Sequence, residues 1–428
     1  MANARVFGAT ACLIFVLAVR GSRNVDSYDA AFWPRQQLEA LEATAVEAGA
    51  ASRNAPLYYD VENNLLGYDN VNGMHDNAIG DEQPRILGDV TEMDKQESVA
   101  RAEIVPQNDE DSAFFELAPE IGQTSGLAID AKKNLVVFHR SNRVWDQYSF
   151  SRDNKLNKTL GPIENATIAI LDPNTGKVLA SHGANEFYMP HGLSIDSNGS
   201  YWLTDVGTHQ VIKLDKNFKK VMELGEKLVP GDDEKHFCKP TDVAVARNGN
   251  FFVADGYCNG RIMKFNRDGK LLASFGTINR HDPPQVGEFL VPHSLALIED
   301  LNLLCVADRE NKRIQCFAAG LTEGTHFHPR AFVPTGTFFT KAENIGRVFA
   351  IREKRHYLVG VTNHDDSEQV DPQVFVMDMN SGRANTFAKG LVNAHALALS
   401  DDGDIFISQI NPNQIVKFSV ADQIQDQA

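Results

Sequence analysis

The sequence predicts an all-β fold, a six-bladed β-propeller, and three observations carry that expectation. From about Phe114 onward, short apolar strands alternate with turns rich in Asp, Asn and Gly, the texture of a many-stranded antiparallel protein. The segments resemble one another, opening with SGLAID at Ser125, HGLSID at His191, TDVAVA at Thr241, HSLALI at His293, RVFAIR at Arg347 and HALALS at His395. Their steps of 66, 50, 52, 54 and 48 residues centre on the length of one four-stranded blade.

Each repeat is justified by its own segments. A turn and a second strand follow most openings: KKNLVVF, SNGSYWLTD, RNGNFFVAD, LNLLCVAD and DGDIFIS. A third strand commonly comes next, as in HQVIKLD, GRIMKFN, KRIQCFA and NQIVKFS. The longer first step leaves room for a loop near residues 153–164. A pair of β-sandwiches with coincidentally similar strands is the competing architecture.

The chain ahead of the repeats has a different character. Arg5, the apolar run from Val6 to Val19 and the small residues Gly21 and Ser22 read as a secretory signal over residues 1–21. No stretch reaches the ~20 apolar residues of a membrane helix, so stable membrane insertion is not expected. Residues 22–113 are polar and poor in β-branched runs, and read as a flexible pro-segment or linker with one helix near residues 36–48. The propeller is expected over residues 114–421, with a tail at 422–428. Of the 428 residues 43% are hydrophobic, enough for a sizeable core, and the formal net charge of -16 argues against a nucleic-acid partner.

Export bears on the cysteines and sequons. Cys12 falls within the signal, leaving Cys238, Cys258, Cys305 and Cys316. An even count in an exported chain suggests two disulfides, with Cys238–Cys258 and Cys305–Cys316 the simplest pairing by proximity. Zinc binding by these four competes weakly, because no C-x-x-C pair is present. Asn157, Asn165 and Asn198 open N-x-S/T sequons, candidate glycosylation sites on loops.

The repeat register makes a geometric statement. The opening slot holds Ser125, His191, Thr241, His293, Arg347 and His395, so histidine recurs in alternate repeats, spaced by 102 residues each time. Alternate blades of a six-membered ring are related by about 120°, and innermost strands line the central channel. Three equivalent imidazoles then converge on the axis. Three protein ligands with an open fourth position is the arrangement of catalytic zinc. Histidines merely capping inner strands are the competing reading. His139, His209, His236, His281, His326 and His328 lack this relation and are expected at the surface or in loops.

Several longer motifs add a resemblance: VVFHRSNRVWDQYSF, EFYMPHGLSID, HFCKPTDVAVA, ADGYCNGRI, VPHSLAL and VADRENKRIQCF. Together they resemble the peptidyl-α-hydroxyglycine α-amidating lyases, the lyase half of peptidylglycine α-amidating monooxygenase, over roughly residues 114–420. Nothing resembles the copper-binding monooxygenase half. The resemblance implies a propeller of NHL-like repeats that cleaves peptidyl-α-hydroxyglycine to a peptide amide and glyoxylate in neuropeptide or peptide-hormone maturation. It implies zinc on His191, His293 and His395, a catalytic tyrosine at Tyr257, active-site arginines at Arg140 and Arg309, and the same two disulfides. It further implies a secreted or secretory-granule location, peptidyl-α-hydroxyglycine substrates and a monomer.

One departure stands out. The family commonly has Met-Pro-His-Asp around its last histidine, where this chain has Asn393-Ala394-His395-Ala396. The implied calcium site joins the backbone carbonyls of Leu127 and Leu193 to that aspartate, so calcium is expected to bind weakly or to be absent. A non-catalytic NHL-repeat interaction propeller, a calcium-dependent lactonase on a similar propeller and a catalytically dead relative are the rival functions.

Overall fold

A computed structural model describes residues 57–59, 65–68, 112–321, 333–364, 372–379, 383–387 and 391–419. The expected signal, the helix near 36–48, His326, His328 and the tail lie outside the described residues. Within 22–111, Leu57–Tyr59 pairs with Leu65–Tyr68 as a short antiparallel hairpin.

Six four-stranded antiparallel sheets form the propeller, as the repeats predict. Blade I runs Thr124–Ile129, Leu135–His139, Ile168–Leu171 and Val178–His182. Blade II runs Pro190–Ile195, Tyr201–Asp205, Gln210–Leu214 and Lys220–Leu224. Blade III runs Pro240–Val245, Phe251–Asp255, Arg261–Phe265 and Leu271–Phe275. Blade IV runs Pro292–Ile298, Leu303–Asp308, Arg313–Ala318 and Phe338–Ala342. Blade V runs Arg347–Lys354, Tyr357–Asn363, Val374–Asp378 and Ala384–Phe387.

Blade VI closes the ring. Its inner three strands, Ala394–Leu399, Asp404–Gln409 and Gln414–Ser419, come from the C-terminal side. Its outer strand, Ser112–Glu116, comes from the other end of the domain and pairs antiparallel with Gln414–Ser419. That strand begins two residues ahead of the start at 114 read from the sequence. Closure by a ladder of backbone hydrogen bonds joins the ends of the ring, which leaves the sheet series without an open seam.

Burial follows position in the blade. The second strands of blades I to IV are buried along their whole length, whereas the outer strands Val178–His182 and Leu271–Phe275 alternate between partly buried and exposed. This is why the second strands read as continuous apolar runs such as LVVF and the outer ones do not. Each blade face packs on the next. Six apolar clusters sit one at each blade–blade junction; the one joining VI to I, for example, holds Phe115, Leu127, Leu135, Ala396 and Phe406. Burial of this kind contributes roughly 25 cal/mol per Å² of apolar surface, and here it also locks the angle between blades. The hairpin turns carry their own signal: the Asp196 carboxylate accepts the backbone N–H of Asn198 and of Ser200, at 2.9 Å each, while Gly199 supplies the positive φ.

Candidate metal centre

The inner strands share a device that aims side chains at the axis. In all six, pairing with the second strand slips at one slot, occupied by Ser125, His191, Thr241, His293, Phe349 and His395. A β-bulge re-aims the side chain it carries. The fifth slot corrects the sequence phase: it is Phe349, not Arg347. The inner strand of blade V starts two residues ahead of its bulge, where the other five start one ahead, an offset that an ungapped repeat comparison cannot see. Arg347 instead binds Glu310, Nη2 to Oε1 at 2.7 Å.

His191, His293 and His395 meet as predicted. Their rings are buried, with centroids 4.8, 5.0 and 5.0 Å apart. One ligand nitrogen from each lies within 4.8 Å of the others. Each Nδ1 is held by the bulge carbonyl of the next blade: His191 by Thr241 at 2.8 Å, His293 by Phe349 at 2.6 Å and His395 by Ser125 at 2.9 Å. A carbonyl only accepts, so each Nδ1 carries the proton and Nε2 is the lone-pair nitrogen. Histidine slots thus alternate with carbonyl slots around the ring, which is why the spacing had to be two blades.

Burial keeps these rings neutral. It lowers the His191 pKa to about 3, helped by the Arg140 and Arg309 charges, and drives those of His293 and His395 well below the ordinary value. Neutral imidazoles oriented through Nδ1 are the standard preparation for a metal. The Tyr257 hydroxyl lies 2.9 Å from Nε2 of His191 and 3.1 Å from Nε2 of His293. One phenolic proton cannot satisfy two acceptor nitrogens fully, so the donor set fits a divalent cation.

Tyr257 follows the strand Phe251–Asp255 and precedes Cys258, which is bonded to Cys238. Cys305–Cys316 forms the second predicted disulfide, between directly opposed residues of two blade IV strands. Arg140 and Arg309 are both buried, each one residue past the second strand of its blade, I and IV. Arg140 donates from Nε to Pro190 O at 3.0 Å and from Nη1 to Gln123 Oε1 at 2.9 Å. Arg309 pairs with Glu310 at 2.6 Å, and its guanidinium lies 5.3 Å from the Tyr257 ring and 4.7 Å from that of Phe349. Burial raises the Tyr257 pKa, and Arg309 and then Arg140 oppose the rise. Within the protein alone, burial outweighs these charges.

Residues not singled out from sequence complete the site. Trp145, in the long loop after Leu135–His139, sits 4.8 Å from Tyr257, 6.2 Å from His191 and 5.2 Å from the Arg140 guanidinium. Phe150 packs on Trp145, and the Lys239 Nζ pins the loop by lying 4.2 Å over the Phe150 ring and donating to Asn154 at 3.0 Å. The motif VVFHRSNRVWDQYSF and the length of the first repeat step were the available signals for this wall. His139 and His209 are both buried; His139 ends the strand Leu135–His139, contrary to expectation, whereas His209 lies in the turn before Gln210–Leu214, a loop position as expected. Their Nδ1 atoms accept the N–H of Ser141 and Lys239, which makes them structural acceptors inside the fold. His236 and His281 pair with Asp233 and Glu288 in loops. Asn165 and Asn198 are exposed, whereas Asn157 is partly buried with its amide donating to Tyr148 O.

At the other end of the axis, Leu127 and Leu193 line a cavity of about 280 Å³. The Leu193 carbonyl there accepts from the Arg352 guanidinium at 3.4 Å. Ala396 packs in the apolar junction of blades VI and I. Among the described residues no helix is long and apolar enough to cross a membrane.

Fold and centre together define a six-bladed propeller with an axial three-histidine site for a divalent metal. The NHL repeat pattern matches residues 187–214, 237–265 and 289–317. The chain is 52% identical over 339 residues to a probable peptidyl-α-hydroxyglycine α-amidating lyase of Caenorhabditis elegans, covering 79% of this chain and 91% of that one. It is 43% identical over 316 residues to the peptidylglycine α-amidating monooxygenase of Rattus norvegicus, covering 71% of this chain but 31% of that longer protein. A gluconolactonase structure from Xanthomonas campestris aligns at 14% identity with a TM-score of 0.47, covering 72% of this chain and 90% of that one. The chain belongs to the peptidyl-α-hydroxyglycine α-amidating lyase family, and is a metal-dependent amidating lyase.

Proposed function

We propose that this chain cleaves peptidyl-α-hydroxyglycine to a C-terminal peptide amide and glyoxylate, with zinc as its metal. The observation that carries the reading is the Tyr257 hydroxyl within hydrogen-bond distance of two of the three inward-facing Nε2 atoms. Three neutral nitrogen donors suit zinc, which, when bound, polarises a substrate oxygen and stabilises developing negative charge there.

The remaining work falls to the chain. Tyr257 Oη takes the proton from the substrate hydroxyl. The O–H electron pair becomes the second bond of the glyoxylate carbonyl, the C–N bond breaks, and the leaving amide nitrogen takes up the proton that Tyr257 received, which restores the phenolate. A phenol ordinarily ionises near pH 10, and burial makes that harder here, so Arg309 and Arg140 act by favouring the phenolate. The same two guanidiniums, on opposite blades, attract the substrate carboxylate. Trp145 covers the phenol and keeps water from it. An interaction propeller has no use for three carbonyl-fixed imidazoles, and a calcium lactonase calls for acidic and amide donors where these imidazoles stand.

The two disulfides suit an oxidising compartment. Secretion or residence in a secretory granule, and action on peptide hormones or neuropeptides, follow from that and from the family. A glycan at Asn198 fits its exposure better than one at Asn157 or Asn165, whose amides donate to Tyr148 O and to the Ser141 hydroxyl. Action as a monomer is part of the same proposal. The decisive experiment incubates purified protein with a peptidyl-α-hydroxyglycine and measures glyoxylate and peptide amide. Equal yields, one zinc per chain, loss with a chelator and recovery with zinc are expected; turnover indifferent to chelation refutes the reading.

A further inference from the structure

Three residues beyond the bulge slot, the six inner strands carry Ala128, Ser194, Ala244, Ala296, Arg352 and Ala398. All six line the axial cavity of about 280 Å³ that lies past the histidines. At a rise of roughly 3.3 Å per residue this is about 10 Å from the metal centre. Five small residues leave room at the axis, and one arginine enters it.

The arginine is fully engaged there. Its Nη1 donates to Asp242 Oδ2 at 2.8 Å, to Ser294 Oγ at 2.9 Å and to Ile351 O at 2.8 Å. Its Nη2 reaches Leu193 O and Asp242 Oδ1 at 3.4 Å each. Asp242 is buried and also accepts the N–H of Val243 and of Leu295 and the Ser294 hydroxyl. A buried carboxylate with this many donors still needs a counter-charge, and the guanidinium supplies it.

We infer that Arg352 is the built-in cation of the propeller axis and takes the place of a structural calcium ion. Calcium requires six to eight oxygen ligands at roughly 2.3–2.6 Å. Here the Leu193 carbonyl and the Asp242 carboxylate face a fixed positive charge that repels a second one. The slot that would offer another carboxylate beside His395 holds Ala396, packed among Leu127 and Phe406. The calcium donors implied by the family therefore do not fit a calcium ion in this chain. The ion pair ties blade V to blades II, III and IV. Asp242 adjoins Thr241, whose carbonyl orients His191; Ser294 adjoins His293; and Arg352 lies three residues past Phe349, which orients that same histidine.

The test uses the zinc-loaded protein, with calcium content and Tm as readouts, neither of which depends on lyase activity. Wild type, dialysed against calcium-free buffer and then millimolar calcium, is expected to retain no stoichiometric calcium and to keep its Tm within about 1 °C. Arg352→Ser is expected to melt roughly 5–10 °C lower, because Asp242 loses its partner. Arg352→Lys, which keeps charge but not the fork, is expected to fall between. One retained calcium that raises the wild-type Tm overturns the inference, as does an Arg352→Ser protein that melts with wild type. If Arg352→Ser does not fold, wild-type calcium content and Arg352→Lys decide.

Discussion

Replacing Tyr257 by Phe removes one oxygen from the centre and leaves its surroundings in place. The ring contact with Trp145 at 4.8 Å and the Cys238–Cys258 bond do not depend on the hydroxyl, whereas the Arg309 guanidinium, 5.3 Å from the ring, loses the hydroxyl as a hydrogen-bond partner. What is lost is the group 2.9 and 3.1 Å from the two Nε2 atoms, and with it the proton acceptor. A positioned acid or base contributes about 10²–10⁴ in rate, or roughly 3–5 kcal/mol of barrier. We expect kcat for glyoxylate formation to fall by about that factor, with KM changed less than about threefold. Metal content by elemental analysis should stay at the wild-type value, since the imidazoles keep their Nδ1 anchors. A kcat within about twofold of wild type, with metal retained, refutes the base assignment.

The two disulfides should separate by function. Cys238→Ser with Cys258→Ser frees the segment that carries Tyr257, and should lower kcat as well as cost about 3 kcal/mol of stability; Cys305→Ser with Cys316→Ser should lower Tm while kcat holds. Trp145→Ala should raise KM by about tenfold and lower kcat, because the wall over Tyr257 and Arg140 is gone, as steady-state kinetics will show. Acid should destabilise the fold through His139, whose pKa burial lowers to about 4. The unfolded chain takes up that proton as pH falls below about 6.5, while the folded chain resists until about 4. The contribution is therefore complete above about pH 6.5 and is lost progressively down to about pH 4, by roughly 3 kcal/mol. Tm measured from pH 7 to 4 should track this, and His139→Gln should flatten the slope; a Tm independent of pH across that window contradicts it.

The sequence by itself determined the ring and its centre. Six apolar repeats near 50 residues dictate six blades, since each repeat buries its faces only against neighbours, and histidines 102 residues apart must then face one another across the axis. Covalent neighbours were legible too: Cys258 beside Tyr257 was visible before any fold. Tertiary structure alone decided what depends on register across strands. The bulge that makes Phe349 rather than Arg347 the fifth slot is a property of pairing, not of composition. The carbonyls of Thr241, Phe349 and Ser125 that fix the imidazoles have no side-chain signature, because any residue offers a carbonyl. Burial of His139 and His209 follows from packing that a local window does not contain. Arg352 shows the limit most sharply. Its partner Asp242 lies 110 residues away, and only closure of the ring puts a guanidinium where five other blades leave space.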